Sequence, residues 1–245
     1  METASIEKIK KMEKSEEKAA EMPEEMPEKL EPLKVIKEKA KKLLIPTEDY
    51  KRAAVIIGTK VITGYMEQYV YKRRADGLAI IDVEKTDAKI QNAINFLIQF
   101  EPKDILVFCK REAGWKAVDQ LGKTIGVRAF VRRYPAGTIT NPTLPDFFEP
   151  KILLVVDPWI DKNALNDAVR IGIPVISICD TNNVTNNLDL VIPANNKTAS
   201  SIGLIFYLIA KSYAKAKGLP FEVKLEDFGV EFAEQAGKKE SSSSK

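Results

Sequence analysis

Short apolar runs alternate with amphipathic helical stretches from residue 78 to residue 217. That alternation predicts an α/β domain of three layers, doubly wound around a mainly parallel sheet, of Rossmann or flavodoxin type. Two observations carry the prediction. Strand-like runs such as DILVFC at 104–109 and PVISICD at 174–180 are apolar at successive positions, as expected of strands covered on both faces. The segments between them place apolar residues at helical spacing, as Ile90, Ile94, Leu97 and Ile98 do within TDAKIQNAINFLIQF.

The elements follow in order. Residues 1–42 form a block of their own, with 11 basic and 11 acidic residues, no aromatic residue and three prolines, Pro23, Pro27 and Pro32. A short amphipathic helix fits 4–20 and would end at Pro23 and Pro27. The block is expected to be disordered alone and to order on a partner. The segment 54–71 carries Gly58, Gly64 and a polar, aromatic stretch; it is expected as an extended ribbon ahead of a first parallel strand, LAIID at 78–82. A helix over 86–100, the strand at 104–109, a helix over about 112–125 and a strand VRAFV at 127–131 come next. After the strand KILLVVD at 151–157, Asp157 suits an N-cap and Pro158 the first turn of a helix that runs to Ile171 and stops at Gly172. Strands at 174–180 and 189–193 precede a long helix over about 198–217, ended by Gly218. The domain is therefore expected over 43–218, with 219–245 as a C-terminal extension that ends in a disordered KKESSSSK tail.

Composition narrows the chemistry. The chain has 245 residues, 44% of them apolar, and a formal net charge of +3. It contains no histidine, which removes the commonest hydrolase and metalloenzyme constellations. Its two cysteines, Cys109 and Cys179, close apolar runs and are too few for a disulfide framework or a zinc site. The charged N-terminus has no signal-peptide core, and the longest apolar run, Ile202 to Ala210, is too short to span a bilayer. A cytoplasmic protein without membrane contact is expected. Charge is unevenly distributed: from Lys51 to Tyr134 there are 16 Lys and Arg against 9 Asp and Glu. A local surplus of this kind fits a phosphate-facing surface, and a solvated charged face is the alternative.

No glycine-rich phosphate loop follows any strand, so no nucleotide cofactor is expected. Asp157 and Asp180 each end a strand; a Mg²⁺ or phosphoryl site, with Lys110 beside it, is one reading, and turn or helix capping is the other and is preferred. No catalytic residue, metal ligand or cofactor is assigned. The candidate contacts are the basic clusters Lys51 and Arg52, Lys60, Lys72, Arg73 and Arg74, Lys110 and Arg111, and Arg128, Arg132 and Arg133, with Tyr65, Tyr69, Tyr71 and Tyr134 among them. A guanidinium fork donates two hydrogen bonds to one phosphate, and a tyrosine ring stacks on a base. The loop YPAGTITNPTLP at 134–145 directly follows the last arginines. Its length between two strands marks it as a binding element, with Gly137, Thr138, Thr140 and Asn141 as candidates.

Several strings agree in order: GTK…MEQYVYKRRADGLAIIDVEKT, RRYPAGTITNP, VVDPWIDKNALNDA, IPVISICDTNN and IPANNKTASSIGLIFYLIA. Together, over about 44–218, they resemble the universal small-subunit ribosomal protein "S-two" family, in its archaeal and eukaryotic branch, which includes the animal laminin-receptor precursor. The resemblance implies a flavodoxin-like fold and a non-enzymatic, structural place in the small ribosomal subunit. It implies contacts with small-subunit ribosomal RNA and neighbouring ribosomal proteins, and no obligate homo-oligomer. Gly58, Thr59 and Lys60 match the family's glycine-threonine-histidine segment, with lysine in place of histidine. Lys72, Arg73, Arg74, Asp76 and Gly77 match its basic-strand motif. Arg133, Gly137, Thr138, Thr140 and Asn141 match its arginine-to-asparagine loop, with Pro135 and Ala136 in inverted order. Asn182 and Asn183, and Asn195, Asn196 and Lys197, match its later loops. The coiled-coil hairpin of bacterial members has no counterpart. A nucleotide-dependent enzyme using Asp157, Asp180 and Lys110, and an interaction module acting off the ribosome, are the two rival readings.

Overall fold

The computed structural model describes residues 43–230; the expectations for 1–42 and for the C-terminal tail lie outside the described residues. A short helix α1 (Thr47–Arg52) leads into an antiparallel pair, β1 (Val70–Arg73) and β2 (Ala79–Ile81), and helix α2 (Val83–Leu97). There follow β3 (Ile105–Cys109), α3 (Trp115–Ile125), β4 (Arg128–Val131), β5 (Ile152–Val155), α4 (Lys162–Ile171), β6 (Val175–Cys179), β7 (Leu190–Pro193) and α5 (Ala199–Lys217).

Strands β3 to β7 form one parallel sheet in the order β4-β3-β5-β6-β7. Counted along the chain, that is the flavodoxin-like order 2-1-3-4-5, and the direction of winding reverses between β3 and β5. Strand periodicity divides the core cleanly. Ile105, Val107 and Cys109 of β3, with Ile152 and Leu154 of β5, face the layer built by α2, α3 and α5. Leu106, Phe108, Leu153 and Val155 face the other way, onto Ala164, Leu165 and Ala168 of α4 and onto Tyr134 and Ile139. Side chains two apart share a face, so both registers must be apolar, and they are.

The structure departs from the sequence expectations in several places. The run at 78–82 does form a strand, but not the first of the parallel sheet. It pairs antiparallel with Val70–Arg73, and Ile57 bridges to Ile80 on its other side. Gly58 lets the chain beside this bridge pass close to Thr181, in the loop after β6: a Cβ there would stand 2.6 Å from Thr181 Cγ2. Helix α2 begins earlier than expected because Asp82 accepts the Glu84 N–H at 3.0 Å as its N-cap. Helix α4 begins later, at Lys162. Asp157 caps the Pro158–Trp159 turn instead, accepting the Trp159 N–H at 3.0 Å. Residues beyond 218 return to the core: a 3-10 turn at Leu225–Phe228 lays Phe228 and Val230 against α5, both buried. Gly203 is the contact point, since a Cβ on it would lie 2.5 Å from the Phe228 carbonyl oxygen.

The long loop after β4 does not lead away from the sheet. Ile139 and Thr138 are buried, the Tyr134 ring meets Phe108 edge-on at 5.3 Å, and the Phe148 N–H donates to the Thr138 carbonyl at 2.9 Å. The loop covers the part of the second face that α4 leaves open. Gly137 takes a φ of +89°, a left-handed conformation that favours glycine.

Candidate nucleic-acid interface

In doubly wound sheets ligands enter the crevice beyond the carboxyl ends of the strands, where the winding reverses. Here that crevice lies between the ends of β3 and β5, and the protein's own side chains fill it. Arg111, after β3, donates from Nη2 to Asp157 Oδ2, after β5, in an ion pair that leaves the carboxylate 5% exposed. The other Asp157 oxygen accepts Asn183 Nδ2 at 3.1 Å and the Trp159 N–H. Asp161 completes the closure by accepting the Lys110 N–H at 3.0 Å and the Asp157 N–H at 3.1 Å. Burial pushes the Asp161 carboxyl up to about 6, although N–H bonds from Asp157 and Lys110 pull the other way. Beside it, burial and the negative Asp161 push the Cys109 thiol up to about 12, so it stays protonated and unreactive at neutral pH.

The same edge continues over β6. Asp180 Oδ1 accepts the Thr181 N–H at 2.6 Å, and Lys197 Nζ stands 3.2 Å from Oδ2. Asn183 Oδ1 receives the Asp180 N–H at 2.7 Å and Asn196 Nδ2 at 3.0 Å. The chain ahead of β1 lies across this loop. The Thr59 N–H donates to Thr181 Oγ1 at 2.9 Å, and the Thr63 hydroxyl donates to the Asn183 carbonyl at 2.7 Å. Asp157 and Asp180 are thus both held in turns and internal pairs. Among the described residues no group of His, Cys, Asp or Glu comes together as a metal site.

The candidate cations separate into four sets. Lys60, Lys110, Arg132 and Arg133 are exposed on the carboxyl edge. The Arg132 N–H joins the edge by donating to the Cys109 carbonyl, and its guanidinium covers the Trp115 ring at 5.0 Å. Lys72, Arg73 and Arg74 project from the β1–β2 hairpin, where Arg74 pairs with Asp76 at 3.2 Å. Lys51 and Arg52 lie on α1, which Tyr50 ties to α2 through a hydroxyl bond to Asp87 at 2.7 Å. Two arginines are engaged internally: Arg111 with Asp157, and Arg128, at the amino end of β4, between the Phe130 and Phe148 rings at 5.5 and 4.8 Å. In the loop, Thr138 donates its hydroxyl to the Pro135 carbonyl, and Asn141 Oδ1 accepts from Thr143. Gly137 and Thr140 set the turn that joins them.

Sequence reasoning did not single out Asp161, Trp159 or Lys162. The signal for Trp159 was present: a tryptophan immediately after Asp-Pro at the end of a strand has left the sheet and has no core to enter.

Among the described residues, this is a flavodoxin-like domain whose crevice between β3 and β5 is closed from within and whose carboxyl edge carries exposed cations. The comparisons with known proteins give the family. The model for ribosomal protein S2 matches residues 53–144 and 147–216. The small ribosomal subunit protein uS2 of Ignicoccus hospitalis is 45% identical over 182 residues, which span 74% of this chain and 86% of that protein. The uS2 proteins of Methanoregula boonei and Thermoplasma acidophilum are 40% and 41% identical over 191 residues, spanning 94% and 96% of those proteins. The chain belongs to the ribosomal protein S2 family.

Proposed function

We propose that this chain is a structural, non-enzymatic constituent of the small ribosomal subunit, where it binds ribosomal RNA and neighbouring ribosomal proteins. Its membership of the ribosomal protein S2 family, at 40–45% identity to small-subunit proteins over most of its length, is the observation that carries the reading. The structure supports it by what it does with charge. The crevice that would take a nucleotide holds the Arg111–Asp157 pair, while Lys60, Lys110, Arg132 and Arg133 point outward. These four, with Lys72 and Arg73 of the hairpin and Lys51 and Arg52 of α1, are the phosphate contacts. Arg111 is turned inward onto Asp157, and Arg128 lies between the Phe130 and Phe148 rings at the other end of β4, so both contribute less to the contact. The exposed part of the loop, with Asn141 at its tip, remains a candidate contact, and Gly137, Thr138 and Thr140 shape it. Among the described residues no helix is long and apolar enough to cross a membrane.

The test is sedimentation of the native protein on a sucrose gradient. It should travel with the small subunit and leave it as salt rises, each phosphate contact adding to the steepness of that loss. A protein confined to the top of the gradient would contradict the reading. The enzyme reading makes the opposite forecast, tight one-to-one binding of a nucleotide with Mg²⁺ in isothermal titration.

A further inference from the structure

The carboxyl edge hides its acids. Asp157, Asp161 and Asp180 are 3%, 1% and 1% exposed. The cations around them, Lys60, Lys110, Arg132, Arg133 and Lys162, are exposed, with Glu112 the exposed acid next to Arg111 and with Glu67 and Asp76 exposed on the ribbon and hairpin at the border of the edge. Among these cations stand side chains that water does not favour: Trp159 is 70% exposed and Tyr65 51%, with Ile160 and Val184 also open.

Hydrogen bonds fix these groups relative to one another. Asp157 Oδ1 accepts both the Trp159 N–H and Asn183 Nδ2, so the Trp159 turn abuts the loop after β6. The Asn183 carbonyl accepts the Thr63 hydroxyl, which brings Tyr65 and Val184 to the far side of that contact. On the near side, the Lys110 N–H binds Asp161, two residues beyond Trp159. The groups are therefore ranged over the ends of β4, β3, β5 and β6, three strand spacings or about 14 Å. The Trp159 backbone is held by the Asp157 bond and by the fixed φ of Pro158. A ring carried on a fixed backbone has only its own two side-chain torsions to settle when something stacks on it.

We propose that this edge is a platform for unpaired RNA, with Trp159 stacked on a base and Lys110, Arg133 and Lys162 on the flanking phosphates. The inference rests on the reading that the protein binds ribosomal RNA, and it specifies the form of RNA met at this edge. A duplex keeps its base faces stacked inside and offers side chains phosphates and 2′-hydroxyls; an isolated indole gains little there. Tryptophan, tyrosine and arginine would also suit a protein partner, but lysine is depleted in protein interfaces and supplies three of the five cations here, Lys60, Lys110 and Lys162. Aromatic rings set among cations of one sign suit single strands, since every base has a π-face.

The test compares wild-type and Trp159→Ala full-length protein by fluorescence anisotropy, on a short unstructured oligouridylate and on a blunt RNA duplex of the same length. Loss of one stacked base weakens single-strand binding by about tenfold. Duplex binding should change by less than about twofold on the same grounds, and Trp159→Phe should retain most of the single-strand affinity. Circular dichroism should show an unchanged fold, because the ring is on the surface. Equal loss on both RNAs, or no loss on the single strand, overturns the platform. If wild-type protein sediments with small subunits while Trp159→Ala binds both RNAs normally, the platform fails and the ribosomal reading stands. If Trp159→Ala binds the single strand normally but no longer enters small subunits, Trp159 is a protein contact and the platform fails. If wild-type protein binds neither RNA and stays out of small subunits, both readings fail.

Discussion

Lys110 and Arg111 are adjacent cations with opposite roles, and replacing Arg111 with methionine separates them. Methionine keeps the aliphatic bulk and removes the charge that neutralises Asp157. The Asp157 side chain is 5% exposed and that of Arg111 24%. Removing one partner of a fully buried pair costs roughly 3–5 kcal/mol, and the partial exposure of Arg111 lowers this to roughly 2–4 kcal/mol. For a domain of this size, ~3 kcal/mol corresponds to a melting-temperature drop of roughly 6–12 °C. Urea titration should show an earlier midpoint with an unchanged slope. The Arg111→Met, Asp157→Asn double variant should be more stable than the sum of the single effects by at least ~1 kcal/mol, as expected for residues in contact. Salt dependence of RNA binding supplies the second readout. Lys110→Ala should lower the log–log slope by roughly 0.7–0.9, the share of one phosphate, while Arg111→Met should leave it unchanged. A stability loss under ~0.5 kcal/mol would refute the reasoning, since typical surface changes fall within that range. So would a slope change equal to that of Lys110→Ala.

Three further outcomes follow from the packing and the buried acid. The Asp161 carboxyl lies at about 6 in the fold against an ordinary 3.8, so the folded chain holds the extra proton between those values. Its contribution therefore favours the fold at low pH and declines as pH rises to about 6, by ~3 kcal/mol at ~1.36 kcal/mol per pKa unit. Urea titrations across that range should show this component in wild-type protein and not in Asp161→Asn. Gly203→Ala should press a methyl onto the Phe228 carbonyl and release the C-terminal turn; limited proteolysis should then cut faster between Gly218 and Val230, and an unchanged rate would contradict the contact. Thr181→Val leaves the Thr59 N–H without its acceptor, at a cost of about 1–3 kcal/mol, whereas Thr181→Ser keeps the bond. Amide exchange at Thr59 should quicken in the valine variant alone.

Strands covered on both faces were legible because β3 and β5 must be apolar in both registers, and ILVFC and ILLV are. The Ala79–Ile81 run carries the same local signal, yet it belongs to an antiparallel pair. What decides its place is the partner strand Val70–Arg73, which is largely exposed and has no apolar face to announce it. The start of α4 was misplaced because Asp157-Pro158 reads as a cap and first turn, while Asp161, four residues on, precedes the helix. The sequence shows the basic clusters as a set and does not show which of their members reach the surface. Nothing local distinguishes Lys110 from Arg111; the carboxylate that turns Arg111 inward lies 46 residues away. The length of the loop after β4 marked it as a docking element and gave no sign that Ile139 and Thr138 also cover the core, while residues 141–146 stay exposed. Charge patterns state what a surface carries, and long-range pairing selects which members reach it.

The most direct test of the central claim is competitive incorporation of wild-type protein and a Lys60→Ala, Lys110→Ala, Arg133→Ala variant into small subunits, read on one sucrose gradient. All three residues are exposed, so the variant should melt like wild type. Wild-type protein should dominate the small-subunit fraction, with the variant depleted more strongly as salt is raised. Equal incorporation of the two would contradict the assignment of this edge to ribosomal RNA.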